Sequence, residues 1–166
     1  DPTDYMLTKS EDDKVKRSTS SKTGYRELFV INLKNIINDR STSDGFRNEA
    51  TRELNESKQD FFRNYKSLKP LKDIPTTVMI AYNKHIENYE TEMNENQKLG
   101  INLIPWWKEL DELRINHYAE MIKNNKNSRL ILLPRYSHGI HQQDPKIVTD
   151  ALIETYESCI SHLKSN

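Results

Sequence analysis

The chain has 166 residues, with 25 basic and 25 acidic side chains and no formal net charge. That length fits one domain or a large piece of one. Balanced charge without a basic block argues against a nucleic-acid partner, and no apolar run is long enough for a membrane span.

Residues 1–5 (DPTDY) read as a turn or a strand exit. Residues 9–22 are polar, charged and serine-rich, which predicts a mobile surface loop. Tyr25, Leu28, Phe29, Leu33, Ile36 and Ile37 recur at helical spacing and predict a helix over 25–38, although the ELFVINL stretch also has strand-like content. Phe46, Ala50, Leu54, Phe61, Phe62 and Tyr65 predict a second helical stretch, broken near Ser57. Residues 66–75 form a connector with two prolines. Residues 76–81 (TTVMIA) are short and β-branched and predict a strand, with Pro75 at its edge. A weakly patterned helix is placed over about 87–97. Pro105 opens a stronger one in which Trp106, Leu110, Leu113, His117 and Met121 share a face.

The last third of the chain is the most informative. Residues 129–133 (RLILL) form an apolar run typical of a buried strand. A polar loop with His138 and His141 follows. Asp144 and Pro145 then open a helix, the first as a cap for free backbone N–H groups and the second at a position that needs no donor. Ile147, Val148, Ala151, Leu152, Tyr156, Cys159, Ile160 and Leu163 predict one apolar face on that helix. The lone Cys159 rules out an intrachain disulfide and reads as a small core residue. Strand, helix and strand in this order imply parallel pairing. Two or three parallel strands leave both faces and both edges uncovered, so the rest of a larger sheet is expected from elsewhere. The apolar share of 34% and charged share of 30% agree with a core completed by something outside the chain. Such a chain is expected to associate or to be marginally stable alone.

These residues resemble the C-terminal half of an α/β-hydrolase. The strongest likeness is over 127–152, where a strand S-R-L-x-x-x-P leads into S-H-G-I-H-x-x-x-P and a helix. Residues 74–81 are similar to the preceding strand, and 1–4 (DPTD) to the end of the strand before it. The resemblance implies an α/β fold class, a partial parallel sheet with flanking helices plus a helical cap. Its parts would be the end of a core strand at 1–4, the cap at 5–71 and a C-terminal core portion at 72–166. It implies a Ser–acid–His mechanism on an ester or related acyl bond of a small molecule, with His138 as the catalytic histidine. No G-x-S-x-G occurs, so the serine would lie in a missing N-terminal half, on the same or a second chain, and this piece alone would be inactive.

The acid departs from the family pattern. The loop after residue 81 reads Tyr82-Asn83-Lys84-His85, with no carboxylate before Glu87. Some members place the acid one strand earlier, which puts it at Asp1, ahead of Glu87, with Asp4 a lesser substitute. The alternative function is a non-catalytic helical or α/β binding module of hydrolase-like fold, in which His138 is a loop residue. An H-x-x-H metal pair of His138 and His141 would need His85 or Asp144 to complete it, so no metal or other cofactor is expected. Trp106 and Trp107 read as core packing before acyl pocket. No signal peptide is visible; a soluble chain is expected, with the cytoplasm favoured and the compartment otherwise unread.

Overall fold

Most apolar residues recur at helical spacing. Accordingly, seven helices and one two-stranded sheet form among the described residues. The computed structural model describes residues 7–58 and 74–165. In chain order the elements are α1 (Lys9–Ser18), α2 (Tyr25–Asn38), α3 (Asp44–Glu56), β1 (Thr77–Tyr82), α4 (Asn88–Asn96), α5 (Leu103–Ile122), β2 (Arg129–Pro134), α6 (Ile140–Gln143) and α7 (Pro145–Ser165). They belong to two compact units, Asp1–Leu68 with Glu92–Trp106, and Lys69–Thr91 with Trp107–Asn166.

The first unit corrects one expectation at once. The polar segment 9–22 is not a loop over most of its length; it contains α1. Thr8 starts the helix with a capping box: its hydroxyl accepts from the Glu11 N–H, and the Glu11 carboxylate accepts the Thr8 N–H at 2.8 Å. Val15 is fully buried and Asp12 nearly so. The Asp12 carboxylate accepts the N–H groups of Tyr25 at 2.7 Å and Arg26 at 3.3 Å, and so caps α2 from a different helix. Glycine is required at position 24, because a Cβ there would lie 2.6 Å from an Asp12 oxygen. Leu28 and Leu33 of α2 and Ala50 of α3 are buried where those two helices pack together. The strip 92–106 closes this unit. Gly100 O accepts from Lys22 N, Leu99 O accepts from Thr23, and the Trp106 ring stacks on Tyr25 with centroids 5.9 Å apart.

In the second unit β1 and β2 pair in parallel, with Thr77 opposite Arg129 and Tyr82 opposite Pro134. Each strand lies within one residue of its predicted span. α7 packs on this pair: the Thr155 and Thr77 hydroxyls meet at 2.6 Å, and Arg129 reaches the Ala151 carbonyl and pairs with Glu154. Ile80, Leu133, Ala151, Leu110, Tyr118 and Ile122 are buried.

The expected fold class is not what forms. An α/β partial parallel sheet of hydrolase type calls for more strand than is present. The described residues are mostly helical, with only two strands of six residues each. Only two segments combine a short apolar, strand-forming run with flanking breakers. Elsewhere capping residues and 3.6-residue periodicity favour helix, including the ambiguous ELFVINL stretch within α2. The apolar face predicted for α7 is covered only in part. Ala151 is 5% exposed, whereas Leu152, Tyr156 and Leu163 are 66%, 66% and 73% exposed. Phe61, Phe62 and Tyr65 lie outside the described residues.

Two substitutions test the junction of α1 and α2. Asp12→Ala is expected to lower stability by about 1 kcal/mol, the usual cost of a lost helix cap. Asp13→Ala, which removes only an exposed pair with Lys9, should leave the urea midpoint unchanged. The second test concerns pH. The Gly24 N–H, 2.8 Å away, holds the Glu27 carboxyl below its ordinary range, with Lys16 assisting. A lowered folded-state value means that Glu27 stabilises the fold above its unfolded pKa, and that this is lost as pH falls through the folded one. Burial pushes the Asp12 carboxyl the other way, so its contribution is full below its unfolded pKa and is lost as pH rises through the folded value. In thermal melts over about pH 2 to 6, Glu27→Gln should therefore lose less stability on acidification than the natural chain. Equal acid slopes would refute the assignment.

Candidate functional site

Because the two strands are parallel and in register, they end side by side. Each is followed by a residue with left-handed backbone, Asn83 with φ 50° and Arg135 with φ 66°. Asparagine tolerates that region, whereas an arginine there carries strain of about 1 kcal/mol or more. Each turn is held by a hydrogen bond: Arg135 N–H to the Tyr82 carbonyl at 2.9 Å, and Asn83 N–H to Asp111 at 2.7 Å. Two loops therefore leave the carboxyl end of the sheet, where ligands bind in open parallel sheets.

The first loop, 83–87, is fixed by two buried carboxylates. Asp111, from α5, accepts the Asn83 N–H and a guanidinium bond from Arg114 at 2.6 Å. Burial raises its carboxyl pKa above the ordinary value, with the Asn83 N–H and the Arg114 charge opposing. Glu90, from α4, is 5% exposed. It accepts from Lys84 Nζ at 2.5 Å, the Glu87 N–H at 2.9 Å and Trp107 Nε1 at 3.0 Å. The Lys84 ammonium also lies 4.6 Å from the centre of the Trp107 ring. Lys84 and the start of α4 are thus tied to one carboxylate, and His85 lies exposed in the loop between them.

The second loop carries His138. Tyr136 OH donates to Asp144 at 3.1 Å, which raises the Tyr136 pKa. The other Asp144 oxygen accepts the Ile147 N–H at 3.0 Å and caps α7 as the Asp-Pro pair predicts. Ser137 is bonded to Gln143 through both its N–H and its hydroxyl. His138 is exposed between Ser137 and Gly139, and His141 is exposed on the single turn of α6. Chemically, an exposed imidazole on a braced loop beside a sheet's carboxyl end suits proton transfer to or from a bound molecule.

Of the predicted site residues, His138 is therefore at the sheet's end, while Asp1 and Asp4 lie outside the described residues. Glu87 opens α4: its carbonyl accepts from Glu90 N and Thr91 N, and its side chain is exposed. Trp106 is a core residue, fully buried. Among the described residues no group of three or more His, Cys, Asp or Glu side chains is placed to hold a metal ion. A shallow depression open to solvent lies on the first unit, lined by Asp13, Lys16, Arg17, Ser20 and Ser21.

Sequence reasoning missed Glu90 and Asp111. Both left a signal. Glu90 stands three residues after Glu87, the spacing of a capping box, and Asp111 interrupts an apolar helix face next to Leu110. No family model, curated protein or solved structure matches the chain.

Removing the Glu90 carboxylate would leave Trp107 Nε1 and the Lys84 ammonium, both partly buried, without this acceptor. Glu90→Ala is expected to cost about 3 kcal/mol and to shift tryptophan emission to the red. A melting temperature and emission maximum equal to those of the natural chain would show that the network is not held in solution.

Proposed function

We propose that this chain supplies the proton-transfer histidine of a serine hydrolase acting on an ester or related acyl bond of a small molecule. The supporting observation is the place of His138: an exposed imidazole on a side-chain-braced loop at the carboxyl end of two parallel strands. The proposal concerns this reaction and not the α/β fold class corrected above.

In the proposed reaction His138 removes the proton from a serine hydroxyl as its oxygen attacks the acyl carbonyl. The resulting imidazolium gives that proton to the departing alkoxide as the carbon–oxygen bond breaks. Water then repeats both steps and releases the acid. A carboxylate orients the ring and stabilises its charged form; Asp1 is the candidate. The 166 residues contain no G-x-S-x-G, so the serine belongs to a further segment, in the same polypeptide or a second chain, which is the partner this reading requires.

The second reading, a non-catalytic helical binding module, draws on the uncovered apolar side chains of α7. Its partner would meet Leu152, Tyr156 and Leu163, and His138 would be a bystander.

Esterase activity of the complete gene product separates the two. His138→Ala is expected to lower kcat by about a thousandfold or more, and a serine-directed phosphonate should label the protein. Equal rates for the variant and the natural protein would overturn the role of His138, and a failure to label would overturn the reaction class.

A further inference from the structure

The loop that carries His138 is closed by side chains. Gln143 Oε1 accepts two hydrogen bonds from Ser137, one from its N–H at 2.6 Å and one from its hydroxyl at 2.9 Å. The Ser137 hydroxyl oxygen in turn accepts the Gly139 N–H at 3.3 Å. The Gln143 N–H donates back to the Gly139 carbonyl at 3.1 Å. His138 is the single residue between Ser137 and Gly139, so the backbone on both sides of it is tied to Gln143 while its ring stays exposed.

We propose that Gln143 is a positioning residue for His138. Through Ser137 it fixes the backbone from which the imidazole projects, and with it the direction in which the ring nitrogens face. This rests on the reading of His138 as the proton-transfer group, for which orientation matters: an imidazole on a loose loop spends little time in reactive geometry. An amide suits the task. Its one carbonyl oxygen takes both Ser137 donors, and it brings no charge next to a ring that must change protonation state. A carboxylate at the same position would accept the same two bonds. Gln142, the neighbour on α6, lies beside Gly139 without bonding Ser137, and serves as the comparison for a side chain that touches the loop but does not tie it.

The test uses the 166-residue chain and needs no substrate. Nitrogen-15 spectra of the histidine rings and hydrogen exchange of the backbone amides are recorded for the natural chain, Gln143→Leu, Gln143→Glu and Gln142→Leu. In Gln143→Leu, exchange at the Ser137 amide should quicken by about fivefold, the effect of one lost hydrogen bond. The ring signals of His138 should move at the same time, with those of His85 and His162 unchanged. Gln143→Glu should keep the Ser137 protection. Gln142→Leu should leave the Ser137 protection unchanged and move the His138 signals less than Gln143→Leu does. The proposal falls if Gln143→Leu leaves the His138 ring signals where they were, whether or not Ser137 protection is lost. It also falls if Gln142→Leu moves them as far. A missing esterase activity would overturn the hydrolase reading and leave this spectroscopic result standing, so the two failures are distinct.

Discussion

A side-chain carboxylate accepting a backbone N–H is the interaction on which this structure depends. It starts α1 at Glu11, joins α1 to α2 at Asp12, and closes the first turn of α2 at Glu27. It sets the exit from β1 at Asp111, starts α4 at Glu90 and caps α7 at Asp144. A chain with one apolar residue in three has limited core to hold its helices in register. Here the register comes largely from anions placed where helices and turns leave donors unused. Asp12 and Asp111 show the cost, since burial disfavours their charged forms, and the N–H groups facing them only partly offset that.

The sheet is governed by another constraint. Two parallel strands of six residues cannot cover themselves, and α7 shields them with only part of its apolar surface. What the pair does achieve is geometric. Equal register brings both strands to an end at one level, and the left-handed residues Asn83 and Arg135 turn both loops away together. One loop is tied down by buried acids, the other by neutral and charged acceptors at its surface. Two of the exposed histidines, His85 and His138, are thereby carried on braced loops.

Much of this was legible in the residues. Both strands, the Asp144–Pro145 start of α7 and the helix over 88–96 follow from one β-branched and one continuous apolar run, a cap signal and spacing. α1 was not, because its charged composition hides a capping box whose apolar content is essentially Val15. The fold class was misjudged for a related reason: two real strands, read with a family likeness, suggested a sheet that the remaining periodicity does not supply. At the candidate site, the His138 loop is local and could be read. The Asp111 bond to Asn83 spans 28 residues, and nothing in local spacing marks which backbone group a helical aspartate will meet.

The two compact units are each assembled from separated stretches of chain, and α4 and α5 run across the boundary at Thr91 and Trp106. No single cut in the polypeptide separates one unit from the other. A piece ending at Leu68 lacks Leu99, Ile101 and Trp106, which are buried in the first unit; one beginning at Lys69 carries that strip with no partner for it. Dissection into independent halves is therefore closed off by the order of the chain itself. The two units are linked in folding as well, because the first is complete only after the polypeptide has crossed between them twice, and the second only after a third crossing.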